Sequence, residues 1–219
     1  MVAPEELSAD WNLVTHSLKY SRSGVAWGSA VLVRSGHQYR RYDVGQDSWL
    51  AELAGAVSIA EPVDPAWPWL VSLHSNAYPI PAEKLAARDL ANVRACKPGV
   101  LWEVEAAAHE LEPLLRGRRF LMGGDLNSSL LFDEVNGYAW NRILFANLRL
   151  TGFIDLRERH SPAEQRTYFK QGRRHYQLDH VFGDARTESQ VMSWSVVPDV
   201  AEERDLSDHA PILIEIAGQ

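Results

Sequence analysis

The sequence predicts a layered α/β fold in which helices cover sheets. Three observations carry that expectation. Short β-branched and apolar runs, bounded by glycine or proline, recur along the chain. Two stretches, within 101–115 and 140–148, carry apolar residues at helical spacing. Strands outnumber helices, and the helices are long enough to cover a sheet.

Taken in order, residues 1–26 read as an irregular leader, polar and containing Pro4. Residues 29–34 form a β-branched run between Gly28 and Gly36. Residues 56–60 and 69–74 are strands on either side of a turn-rich 61–68. Residues 81–95 read as a helix, with Pro81 at its start and Pro98-Gly99 beyond its end. Leu101, Val104, Ala108, Leu111 and Leu115 make one helical stripe, with Pro113 expected to kink it or begin a new turn. Phe120-Leu121-Met122 is a short buried strand ending at Gly123-Gly124. Trp140, Ile143, Leu144 and Leu148 mark a helix that stops near Gly152. Strands over 177–183, 190–197 and 211–216 complete the chain.

With 219 residues, 46% hydrophobic and 23% charged, the chain has the composition of one globular domain, taken as 1–219. No apolar run reaches the length of a membrane helix. The start lacks the basic-then-apolar order of a secretory signal, and Cys96 is the single cysteine. Together these point to a reducing, cytoplasmic setting. A formal net charge of −7 argues against a basic coat protein for DNA. It leaves phosphoester chemistry open, because a bound cation makes a carboxylate site less negative.

Chemistry concentrates in four clusters. In Gly124-Asp125-Leu126-Asn127, the Asp and Asn lie two apart and share a face in extended chain. A carboxylate beside an amide suits a hard cation, or a water and a phosphate oxygen; a plain strand-to-loop turn has the same composition. In Ser207-Asp208-His209-Ala210-Pro211, adjacency rules out a Ser-His-Asp relay. The roles separate instead: Asp208 toward a metal, His209 toward the reacting phosphate, Asp179 orienting the imidazole. His74 ends an apolar strand beside Ser75-Asn76. Thr167-Tyr168 and the basic turn holding Arg173 and Arg174 precede Asp179, and arginine forks suit phosphate oxygens. A solvated turn explains those arginines equally well. Next to Asp179, His180 faces the opposite side of its strand and reads as structural.

In this order the motifs resemble the endonuclease/exonuclease/phosphatase superfamily, the deoxyribonuclease-I-like proteins. The resemblance rests on Val71-Ser72-Leu73-His74, Gly124-Asp125-Leu126-Asn127, Leu178-Asp179-His180-Val181-Phe182 and Ser207-Asp208-His209-Ala210-Pro211, with Gly152-Phe153-Ile154-Asp155-Leu156 in support. It implies a four-layer α/β/β/α sandwich of two mixed sheets, with the site at one end. It also implies Mg2+ or Mn2+, and in-line attack of water on a phosphoester, nucleic acid being one candidate substrate. His209 would activate water or stabilise the transition state, with Asp179 behind it. Asp208, Asp125 and Asn127 would serve the metal, the nucleophile or the phosphate. His74 would contact phosphate or assist the leaving group, and Asn76, Thr167, Arg173 and Arg174 would line the substrate.

The departure from the family lies before residue 27. Family members open with an Asn-bearing strand and a second strand ending in Gln-Glu, whose Glu binds metal. Trp11-Asn12 is present here, but no Gln-Glu follows it. The first strands are therefore expected to be missing, which would expose sheet edges and weaken cation binding. The competing readings are an impaired homologue that binds phosphate or nucleotide, and a phosphomonoesterase or phospholipid diesterase.

Overall fold

The computed structural model describes residues 10–20, 24, 26–45, 48–53, 55–86, 88–170, 175–202 and 207–217. In chain order the elements are β1 (Trp11–Tyr20), β2 (Ala26–Arg34), β3 (Tyr39–Arg41), α1 (Trp49–Glu52), β4 (Ala56–Pro62), β5 (Trp69–His74), α2 (Ala82–Leu85) and α3 (Glu103–Leu115). There follow β6 (Phe120–Asp125), α4 (Leu130–Asn136), α5 (Trp140–Leu150), β7 (Ile154–Asp155), β8 (Asp179–Gly183), α6 (Ala185–Gln190), β9 (Val191–Val196), α7 (Asp199–Glu202) and β10 (Ile212–Ile216).

The centre is a six-stranded mixed sheet ordered β3-β4-β5-β6-β8-β7. Strand β5 alternates buried and half-buried residues, whereas β4 is buried on nearly every residue because both its faces are covered. One face packs Ile59, Val71, Leu73, Phe120 and Met122 against Val104, Leu111 and Leu115 of α3 and Leu144 and Leu148 of α5. The stripe expected within 101–115 thus lies where its spacing placed it. Pro113 sits inside a helix that continues to Leu115, so it neither ends the helix nor begins a new one, although its missing N–H leaves one i→i−4 bond unmade near the C-terminus.

The opposite face carries two antiparallel hairpins, β1-β2 and β9-β10. The first sets Val31 and Val33 over Ala60 and Leu70; the second sets Val191, Trp194 and Ile214 over Leu121 and Val181. Helices, sheet and hairpins make the α/β sandwich expected, with its second layer present, among the described residues, as two hairpins not paired into one sheet. A cleft of about 720 Å³ lies between them, with Leu70 and Leu121 among its lining residues and Leu32 and Ile216 lining the hairpin sides.

Several local expectations need correction. The leader read as irregular through residue 26 contains β1, ten residues long. A register shift between Leu13 and Thr15 breaks the strict alternation that would have marked it as a strand. The helix expected over 81–95 forms only as α2. Beyond it the Asp89 carboxylate accepts a hydrogen bond from the Ala91 N–H, a local turn that competes with the helix, and few apolar side chains there are buried. The strand expected from 177 begins at Asp179, because the N–H groups of Leu178 and Asp179 both donate to the Thr167 hydroxyl. Helix α4, for which no segment was marked from sequence, is capped by Ser129 and ended by left-handed Gly137.

The topology delivers the site. Strands β5 and β6 run parallel, so His74 and Asp125 come to the same sheet edge. Strand β8 is antiparallel to β6, which pairs Asp179 directly with Asp125. The approach of β5 and β6 depends on Gly124, whose φ is 142° and whose position would place a Cβ 2.0 Å from the Leu73 carbonyl oxygen. We expect Gly124→Ala to lower the unfolding free energy by roughly 3 kcal/mol in chemical denaturation, through strain at this contact. A loss below about 0.5 kcal/mol, the size of an ordinary surface change, would show that the contact yields freely.

Candidate active site

Asp125 ends β6 and is the hub of the cluster. Its Oδ1 accepts from the Asn127 N–H at 2.8 Å, and its Oδ2 from the Asn127 amide at 3.1 Å. That amide also donates to the Ser75 carbonyl at 2.9 Å, and the Ser75 N–H donates to the Asp125 carbonyl at 2.8 Å. Asn127 holds φ at 51°, in the left-handed region that asparagine tolerates better than most side chains. These hydrogen bonds hold Asn127 in that conformation and keep Asp125, Asn127 and Ser75 in one interlocked turn.

Two imidazoles converge on the same carboxylate oxygen. His74 Nε2 lies 3.6 Å from Asp125 Oδ2, and His209 Nε2 lies 4.0 Å from it. The other nitrogen of His209, Nδ1, meets Asp179 Oδ2 at 2.7 Å. The loop bearing His209 is pinned from both sides: Phe169 N–H donates to the Asp208 carbonyl, and Ala210 N–H donates to the Thr167 carbonyl. The Tyr168 ring lies 5.1 Å from the His209 ring.

Environment sets the charges. Burial pushes the Asp125 carboxyl up to about 6, and the facing Asp179 carboxylate adds to the rise. Burial opposes the cationic form of His209, but the hydrogen bond and charge of Asp179 outweigh it, so His209 sits above the usual histidine value. His74 moves the other way: burial lowers it, helped by the charge of His209. The pattern is a poised carboxyl between a histidine inclined to be cationic and one inclined to be neutral.

Of the residues singled out from sequence, His74, Asp125, Asn127, Asp179 and His209 come together. Asp208 stands at the rim with an exposed side chain, and its charge adds to the rise of His209. Thr167 is corrected: it is fully buried, so it cannot line the substrate, and its hydroxyl instead fixes the backbone of Leu178 and Asp179. Asn76 spends its side-chain oxygen on the Tyr78 N–H. Arg173 and Arg174 lie outside the described residues. His180 is buried as expected, with Nε2 2.9 Å from the Ser128 carbonyl oxygen. Sequence reasoning missed Glu103, a buried carboxylate that accepts from the N–H groups of Gly55 and Asn76 and whose charge reaches His74. Its only signal was acidity at the start of a helix, which many solvated residues share.

Among the described residues, no group of three or more His, Cys, Asp or Glu side chains is arranged to hold a metal ion. Asp125 and Asn127 are spent largely on one another, and Asp208 is at the rim. This donor set does not fit the metal centre that the family resemblance implies.

No protein-family model matches the chain. No curated protein matches it either. Solved structures do. The 3′-5′ exonuclease NExo from Neisseria meningitidis superposes with a TM-score of 0.66 at 15% identity, over 95% of this chain and 80% of that one. The AP endonuclease LMAP from Leishmania major gives 0.65 at 16%, over 96% and 72%. An AP endonuclease from Archaeoglobus fulgidus gives 0.62 at 14%, over 93% and 79%. The chain therefore has the deoxyribonuclease-I-like fold of the endonuclease/exonuclease/phosphatase proteins. No helix among the described residues is long and apolar enough to cross a membrane.

The raised Asp125 carboxyl has a measurable cost. With its side chain only 18% exposed, the move from 3.8 to about 6 corresponds to roughly 3 kcal/mol. Because the folded value is the higher one, the fold loses this stability as pH rises from about 4 to 6. In chelator, Asp125→Asn is expected to be more stable than the parent at pH 8 and to lose that advantage at pH 4. Equal melting shifts at both pH values would contradict the charge assignment.

Proposed function

We propose that this protein is a phosphoester hydrolase of the phosphodiesterase or nuclease type, cleaving by in-line attack of water. One observation carries the reading: the two Nε2 atoms of His74 and His209 flank Asp125 Oδ2, while Asp179 holds His209 from behind.

Each group has a task matched to its protonation. Asp125, titrating near 6, accepts the proton of the attacking water. His209, as imidazolium, offsets the charge that builds on the phosphoryl oxygens and gives its Nε2 proton to the leaving oxygen. Asp179 keeps Nδ1 protonated and the ring in place. The Nε2 of His74 faces the same space and contacts a phosphoryl oxygen. Proton return from Asp125 to His209, relayed by one water across the 4.0 Å between them, resets the site.

Mg2+ or Mn2+ enters from the family resemblance, and no step is assigned to it, because the described donors do not make a cage. The same observation favours a second reading, a phosphate- or nucleotide-binding protein with impaired catalysis. The exonuclease and AP endonucleases among the similar structures support the phosphodiesterase, and a 3′ phosphatase among them keeps the phosphomonoesterase as an alternative.

Hydrolysis of bis(p-nitrophenyl) phosphate decides between the two readings. Turnover is expected, and Asp125→Ala and His209→Ala are each expected to reduce kcat by about 10²-fold or more. The kcat/KM profile is expected to rise through about pH 6 as Asp125 ionises, then to fall above 6.5 as His209 loses its proton. Parallel reactions with added Mg2+, added Mn2+ and chelator measure cation dependence. A folded chain without turnover in any of these would sink the hydrolase and leave the binding protein.

A further inference from the structure

We propose that Thr167 is a positioning residue that couples the start of β8 to the His209 loop and so holds the Asp179–His209 hydrogen bond at its working length; this rests on the phosphodiesterase reading, in which His209 is the acid. Thr167 is fully buried, and its polar groups reach three separate stretches of chain. Its N–H donates to the Tyr176 carbonyl at 3.0 Å. Its hydroxyl oxygen accepts from the N–H groups of Leu178 at 2.9 Å and Asp179 at 3.1 Å. Its carbonyl accepts from the Ala210 N–H at 2.8 Å. A hydroxyl oxygen has two lone pairs, and the two N–H groups fill them.

The place of the hydroxyl explains the need for it. Asp179 is the first residue of β8 and pairs with Asp125 of β6 along one edge. Along the other edge, β7 pairs only with Phe182 and Gly183, at the far end of the strand. The Thr167 hydroxyl stands in for a strand partner where β8 begins. Without it, the N–H groups of Leu178 and Asp179 lose their acceptor in a buried setting, a costly state that the strand start would relieve by shifting.

The other side of the coupling is backbone. Residues 167–169 run beside 208–210: Tyr168 forms a β-bridge with His209, and the Phe169 N–H donates to the Asp208 carbonyl at 2.7 Å. A side-chain change at Thr167 leaves these bonds in place and releases only the β8 side. The carboxylate of Asp179 and the imidazole of His209, 2.7 Å apart, would then lose their common anchor. A charge-assisted bond of that length weakens as its partners separate or misalign. Burial opposes the cationic form of His209, and the Asp179 bond is the largest influence that outweighs it. A looser pair therefore moves the titration of His209 downward.

An acceptor series at this position, read on the full chain by NMR titration of His209 and by hydrolysis of bis(p-nitrophenyl) phosphate, tests the coupling. Thr167→Val keeps the shape and removes the acceptor; it is expected to lower the His209 titration. It should also cut kcat about tenfold, change KM less than about threefold, and move the descending limb of the pH profile to lower pH. Thr167→Ser keeps the hydroxyl and should restore all three readings. Thr167→Cys offers only a weak sulfur acceptor and should fall between them, which decides the matter if the valine variant does not fold. Thr187→Val is the control: it removes another fully buried hydroxyl, which donates to Asp184 on α6, and should lower the melting temperature without moving His209. Variants that melt lower while His209 titrates as in the parent would overturn the proposal, as would a serine variant shifted as far as the valine one. A His209 that follows the series in a chain that hydrolyses no diester would instead overturn the hydrolase reading and leave the coupling standing.

Discussion

The close approach of β5 and β6 at Gly124 is the constraint on which the site depends. Two parallel strands end together only if nothing separates them, and at Gly124 even a methyl group would collide with the Leu73 carbonyl. That contact brings His74 beside Asp125. It also allows the Ser75 N–H to bond back to the Asp125 carbonyl, tying two strand ends into one rigid edge. The left-handed turn at Asn127 locks the arrangement from the other side.

Charge is then distributed against local preference. Register forces Asp125 and Asp179 to face each other across β6 and β8, an arrangement that like charges oppose. The conflict is resolved by division: Asp179 pairs with His209, and Asp125 takes on a raised, near-neutral titration. A fold selected only for stability would avoid this pair. Its cost makes sense where one carboxyl must exchange protons and the other must hold an imidazole still.

Much of this was legible in the sequence because it rests on short motifs at strand ends. The apolar run before His74 and the double glycine before Asp125 marked both strands and the residues that meet at their ends. The helical stripe within 101–115 announced the layer that covers them. What was illegible depends on partners far along the chain. Strand β1 was hidden by a bulge that only its pairing with β2 explains. Thr167 read as a substrate residue because a hydroxyl near a basic turn resembles one; only the fold shows it buried beneath Asp179. Glu103 carried no mark beyond acidity at a helix start, since its contacts are two backbone N–H groups more than twenty residues away. The cleft between the hairpins follows from the number of strands in each layer, which no single segment encodes.

The most direct test of the charge arrangement is an NMR titration of the imidazole resonances, with His209 and His74 assigned by substitution. The account predicts that His209 titrates above 6.5, that His74 titrates below it, and that Asp179→Asn brings His209 down. Two histidines titrating together at the ordinary value, or a His209 indifferent to the loss of Asp179, would contradict it.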